Sequence, residues 1–110
     1  MSIFLRAAKL ADALAIADVY LASRATFLAY PPLAHSDTDI RVWIETQLIP
    51  GASVTVAEVG GKVVGFVATV IDEPLLWVDQ LYVRPNSVGL GLGGKLLQHA
   101  LAGIRQPVRL

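Results

Sequence analysis

The stretch from Leu81 to Leu97, LYVRPNSVGLGLGGKLL, constrains the fold more than any other part of this 110-residue chain. It opens as a strand-like run, turns at Pro85-Asn86, crosses four glycines within residues 89–94 and continues as an amphipathic helix. A strand, a bend poor in side chains and a helix start together build an anion site. The first N–H groups of a helix have no partner inside it, and the helix dipole gathers partial positive charge at that end. A phosphate reaches those groups where glycine leaves the approach open. Gly89 to Gly94 is therefore expected to hold a pyrophosphate.

The elements before this stretch follow from periodicity and turn chemistry. Residues 2–7 form a first strand with Ile3 and Leu5 on one side. A helix from about Leu10 to Thr26 carries Leu10, Leu14, Ala17 and Leu21 at helical spacing, with Asp12 in its first turn, where a carboxylate suits the dipole. Tyr30-Pro31-Pro32 breaks it, and Ser36-Asp37-Thr38-Asp39 reads as the capping box of a second helix. That helix presents Ile40, Trp43, Ile44 and Leu48 on one face and stops at Pro50-Gly51. Residues 53–59 and 62–71 are β-rich runs joined by Gly60-Gly61, which fits a tight hairpin turn of positive φ.

The second run of that hairpin, VVGFVATVI, is apolar on nearly every residue and is expected at the sheet centre with both faces covered. Gly65 within it marks a bulge or a close approach. After Asp72-Glu73-Pro74 a fourth strand, residues 75–83, places Leu75, Trp77, Asp79, Leu81 and Val83 on one face, with Asp79 the lone acid there. Trp43 and Trp77 are expected as core anchors. The third helix, residues 91–104, has a stripe of Leu97, Ala100, Leu101 and Ile104. The order β-α-α-β-β-β-α, then the start of a strand at Val108, predicts an α/β fold with a mixed sheet built on an antiparallel meander, in one domain.

Composition excludes several classes. Hydrophobic residues make up 55% and charged residues 16%, against usual shares of about 45–50% and about 25%. Zero net charge argues against a nucleic-acid footprint. Without cysteine there is neither a disulfide framework nor a thiolate metal site, and two isolated histidines make no metal site either. No apolar run reaches membrane-spanning length and the first residues lack a signal-peptide pattern, so no membrane association is expected and the cytoplasm is the default location.

Three glycine motifs compete for residues 89–95. The dinucleotide fingerprint G-x-G-x-x-G is met by Gly89, Gly91 and Gly94, yet the meander upstream is not the βαβ unit that motif requires. The triphosphate loop G-x-x-x-x-G-K-[ST] is met by Gly89, Gly94 and Lys95 but has Leu96 in place of the magnesium-binding hydroxyl. The third motif is the coenzyme A loop of the GNAT superfamily of N-acyltransferases, which LYVRPNSVGLGLGGKLL closely resembles. That family's pattern is Arg or Gln, two residues, Gly, one residue, then Gly or Ala. Laid on this chain, Val88 takes the Arg/Gln place, Gly91 the first glycine and Gly93 the second. The preceding Leu-Tyr-Val with Pro85, the opening Leu5-Arg6-Ala7-Ala8 with Asp12-Ala13, and the order of elements are also similar to that family.

The resemblance implies transfer of an acetyl group from acetyl-CoA to a primary amine of a small molecule or peptide. It implies that the main chain of Leu81, Tyr82 and Val83 holds the pantetheine arm, and that Val88, Gly89, Leu90, Gly91, Leu92, Gly93 and Gly94 hold the pyrophosphate. Asp79 becomes the candidate catalytic base, directly or through water, and no metal is implied. Val88 removes the usual Arg or Gln side chain from the coenzyme site. The family continues with a strand, a helix and further strand, including a tyrosine that protonates the leaving thiolate, so the chain is expected to be an incomplete GNAT-like domain. Its fourth strand would then be an unpaired edge, which predicts self-association as a homo-oligomer, most simply a dimer. A non-catalytic CoA-binding or assembly fragment, and a dinucleotide-binding domain, are the alternatives.

Overall fold

The computed structural model describes residues 3–27, 37–72, 74–87, 91–102 and 108–109. A five-stranded sheet has the order β1-β2-β3-β4-β5, with β1 Ile3–Ala7, β2 Ser53–Val59, β3 Lys62–Asp72, β4 Leu75–Val83 and β5 Val108–Arg109. The first four strands are an antiparallel meander, and β5 joins parallel to β4 through Leu76↔Val108 and Trp77↔Arg109. The mixed sheet expected from the order of elements is thus present. The edge expected to be unpaired on β4 is paired by β5 at Leu76 and Trp77, and no described strand pairs the rest of it.

Helix α1, Ala13–Phe27, follows a 3-10 turn at Leu10–Asp12. Helix α2, Asp37–Trp43, runs on through a π-helical turn, Ile44–Leu48, into a last turn, Ile49–Gly51, that contains Pro50. Both pack on one face of the sheet, where Ala13, Ile16, Ala17, Val19, Ile40, Ile44 and Leu48 meet Val54, Val56, Phe66 and Ala68. Helix α3, Leu92–Leu101, covers the other face, with Leu92 and Leu96 against Ala57, Val64 and Val67 and with Ile3 and Leu5 at the margin. β3 is therefore buried from both sides, as its continuous apolar run predicts. The proline break at Tyr30-Pro31-Pro32, the Ser36 cap and Ile104 lie outside the described residues.

Two helix faces differ from the sequence periodicity. On α1 the buried positions are Ala13, Ile16, Ala17 and Val19, whereas Leu10 and Leu14 are more than half exposed, at 59% and 55%. Small residues at 13 and 17 let the helix lie close on the sheet, and the larger leucines stay outside. On α3 the buried pair is Leu92 and Leu96, one turn apart, while Leu97 and Leu101 are only half-buried. The helix is thus rotated from the face that the leucine count selects.

The hairpin forms as expected, with Gly60 at φ 60° and Gly61 at φ 80°. Gly65 lies beside a register shift, because Ala57 opposes Gly65 while Glu58 opposes Val63, leaving Val64 unopposed. A second shift changes β4. Ala68 opposes Gln80 and Thr69 opposes Val78, so Asp79 is the extra residue of a β-bulge. Val78 and Val83, five positions apart, both pack into the α3-side core, which strict alternation forbids. The single face expected for Leu75, Trp77, Asp79, Leu81 and Val83 is therefore broken at the bulge, with Trp77 and Val83 on opposite faces. Trp77 is 39% exposed rather than a core anchor; Trp43 does pack at the core margin.

A charged cluster ties β1, β2 and the start of α1. Arg6 donates from Nη1 and Nη2 to Asp12 Oδ2 and Oδ1, both at 2.8 Å, and from Nε to Glu58 Oε1 at 2.8 Å. The Lys9 backbone N–H donates to Asp12 Oδ2 at 2.7 Å. The Arg6 hydrogen bonds hold the Asp12 carboxyl below its usual range, with the Lys9 amide helping and desolvation opposing. A depressed carboxylate stabilises the fold at neutral pH and loses that contribution as pH falls through its native value. Asp12→Asn should lower stability by about 1–3 kcal/mol at pH 7. The gap from the parent should close as pH falls below roughly 4. Urea denaturation across pH checks this, and a gap independent of pH would contradict it.

Candidate functional site

β4 and α3 build the site. β4 pairs with β3 along one side throughout, but β5 reaches only Leu76 and Trp77 on the other. The Arg84 backbone N–H donates to the Val64 carbonyl at 2.8 Å. Antiparallel ladders use alternate residues on each side, so Tyr82 also points its main chain at β3, and Leu81 and Val83 project theirs from the outer edge. The bulge at Asp79 interrupts this alternation and separates the half of β4 that β5 covers from the half whose edge no described strand pairs. Asp79 is exposed there, between Val78 and Gln80.

Helix α3 begins beyond the end of β4. Gly91 is its N-cap in the left-handed conformation, φ 74° and ψ 15°, which glycine adopts without strain. No side chain caps the helix and no acid stands in its first turn. The first helical bond recorded runs from the Lys95 N–H to the Gly91 carbonyl at 3.1 Å. Among the described residues, nothing accepts from the N–H groups of Leu92, Gly93 and Gly94. The Leu92 side chain is buried and anchors that first turn, whereas Gly94 and Lys95 are exposed. A Cβ on Gly93 or Gly94 would meet no atom within 4 Å. Protein packing therefore does not ask for glycine at either position, although each costs the helix stability. What their bareness keeps open is the approach of something from outside to the amides and the positive end of the dipole.

Of the residues expected in the site, Asp79, Leu81, Tyr82 and Val83 lie along β4, and Gly91, Leu92, Gly93 and Gly94 form the start of α3. Val88, Gly89 and Leu90 lie outside the described residues. The Tyr82 ring is turned from the outer edge into an aromatic group, with its centroid 5.1 Å from Tyr20 and 5.8 Å from Phe66. The bulge is the feature that sequence reading missed, since no side chain of β4 marks it. A separate cavity of about 510 Å³ lies on the α1 face, lined by charged residues that include Arg6, Asp12, Glu58, Lys62 and Arg84. Its described lining residues include neither Asp79 nor any residue of α3. No group of histidine and acidic side chains suited to a metal occurs among the described residues. No helix there is long and apolar enough to cross a membrane.

This geometry agrees with the comparisons. The model of the GNAT acetyltransferase family matches residues 17–107. The chain belongs to the GNAT acetyltransferase family. It is similar to the PaiA N-acetyltransferase of Thermoplasma acidophilum solved in complex with coenzyme A, at 20% identity and a TM-score of 0.73, covering 93% of this chain and 71% of that one. It is similar to the ribosomal-protein-alanine N-acetyltransferase of Brucella melitensis biovar Abortus 2308, at 21% identity and a TM-score of 0.71, with 92% and 71% covered. It is also similar to YncA, a putative acetyltransferase of Salmonella typhimurium solved with its cofactor acetyl-CoA, at 25% identity and a TM-score of 0.70. There 93% of this chain and 62% of that one are covered. No curated protein matched the sequence. The dinucleotide alternative is set aside by this family and by the antiparallel meander leading into the glycines.

If the glycines serve a guest rather than the fold, replacing them should help the empty protein. Gly93→Ala and Gly94→Ala should each stabilise the ligand-free chain by about 0.5–1 kcal/mol. Urea titration reads this directly. Destabilisation by either would show that packing requires the glycine.

Proposed function

We infer that the chain binds acetyl-CoA across the β4 edge and the first turn of α3 and transfers the acetyl group to an amine. The observation that carries this is the uncapped start of α3, whose first amides face a bare approach beside the free half of the β4 edge. A diphosphate suits those amides. The Leu81 and Val83 main chain suits the amide groups of a pantetheine arm, which would add to the sheet like a strand. When bound, acetyl-CoA supplies the activated acetyl thioester.

The protein's own residues then hold and deprotonate. The α3 amides would hold the diphosphate and the outer edge of β4 the arm, with the thioester directed along β4 toward the bulge. Asp79, exposed at that bulge, takes the proton of the attacking amine directly or through one water. The new bond would join the amine nitrogen to the acetyl carbon as the carbon–sulfur bond breaks, and the thiolate released would take its proton from solvent. The acceptor is a primary amine on a small molecule or a peptide. A cytoplasmic location and a homodimeric state accompany this proposal, and light scattering at high concentration tests the second.

A thermal-shift series with CoA, NAD and ATP tests the coenzyme. CoA alone should stabilise the protein, by about 2.7 kcal/mol at a hundredfold excess over its Kd. Stabilisation by NAD and not by CoA would overturn the proposal. Thiol release over a panel of amines then separates an enzyme from a binder. Asp79→Asn should retain CoA binding while turnover falls about 100-fold. Unchanged turnover across pH would remove Asp79 from the reaction.

A further inference from the structure

Gly65 of β3 faces Leu96 of α3 with no room for a side chain between them. A Cβ built on it would stand 3.1 Å from the Tyr82 carbonyl oxygen, 3.2 Å from Leu96 Cδ1 and 3.4 Å from Val83 Cγ2. The first two are tighter than ordinary contact and the third is ordinary contact, and all come from the two elements proposed to form the coenzyme site. Tyr82 and Val83 belong to the free half of β4. Leu96, fully buried, sits one turn after Leu92 at the start of α3. The backbone at Gly65 is not in the left-handed region, so alanine fits its φ and ψ. Only space demands glycine there. A glycine inside a central strand otherwise weakens it.

We propose that Gly65 is a positioning residue for coenzyme binding: by lacking a side chain it sets how closely the first turn of α3 stands to the outer half of β4. This rests on the proposed function, because it assigns one ligand to both elements at once. A diphosphate on the α3 amides and an arm on the Leu81 and Val83 main chain are joined by a chain of fixed length. Moving one element from the other by a few tenths of an ångström therefore spoils both contacts together. Leu96 is enclosed and cannot swing clear of an added methyl. The Tyr82 carbonyl belongs to a strand pinned along β3. The displacement accordingly falls on α3, and its first turn carries the amides.

The test compares CoA affinity, by calorimetry, in four proteins: the parent chain, Gly65→Ala, Leu96→Val and the double variant. Leu96→Val removes the δ-methyl that an alanine at 65 would strike. Gly65→Ala should bind CoA about tenfold more weakly than the parent while remaining folded. The double variant should bind within about twofold of Leu96→Val, because the relieved contact lets α3 return. If Gly65→Ala fails to fold, the double variant matching Leu96→Val still supports the proposal. Unchanged CoA affinity in a folded Gly65→Ala protein overturns it, and so does a double variant tenfold weaker than Leu96→Val. If neither alanine variant folds, Gly65 serves the sheet itself and the proposal is likewise overturned. A parent chain that binds no CoA would instead remove the proposed function, a separate outcome read from the first protein.

Discussion

The structure depends on a helix that begins without a cap. An ordinary helix start borrows a serine, threonine or aspartate to satisfy its first amides, and losing such a cap costs about 1 kcal/mol. α3 begins instead on a left-handed glycine, with no side-chain cap and no acid in its first turn. Two more glycines follow that the helix would rather exchange for alanine. Stability is given up at one defined place, and the buried Leu92 and Leu96 hold that place rigid. Such a local loss is intelligible where a ligand supplies the missing acceptors.

The sheet contributes the second half of the arrangement. A meander alone would leave β4 as a long open edge of the sort that invites aggregation. β5 covers Leu76 and Trp77, and the bulge at Asp79 shifts the β3–β4 register just beyond. Beyond the bulge no described strand pairs the outer edge at Leu81 and Val83. Bulges are common where a strand must stop pairing or re-aim a side chain. Here the bulge re-aims side chains: it reverses the faces of the residues on either side of Asp79, which is itself exposed.

Much of this was legible in the sequence. Gly60-Gly61 between two β-rich runs identified the hairpin, the apolar run of residues 62–71 identified the central strand, and the glycines marked where α3 begins. Three features were not legible. The face of α1 was legible at Ala17 and Leu21 but not at Leu10 and Leu14, which stay exposed while Ala13 and Ile16 are buried. α3 was misread similarly, since its burial is set by where Leu96 meets Gly65. The bulge has no side-chain signature at all. It follows from the register of Ala68 and Thr69 against β4, which is a property of two strands rather than one.

The central claim is that the first amides of α3 and the outer edge of β4 hold one coenzyme together. Amide NMR during a CoA titration tests this most directly. The account predicts saturable shifts at Leu92, Gly93 and Gly94, with Leu81 and Val83 following the same binding curve. Shifts confined to Lys62, Arg84 and Asn86, around the cavity on the α1 face, with the start of α3 unmoved, would contradict it.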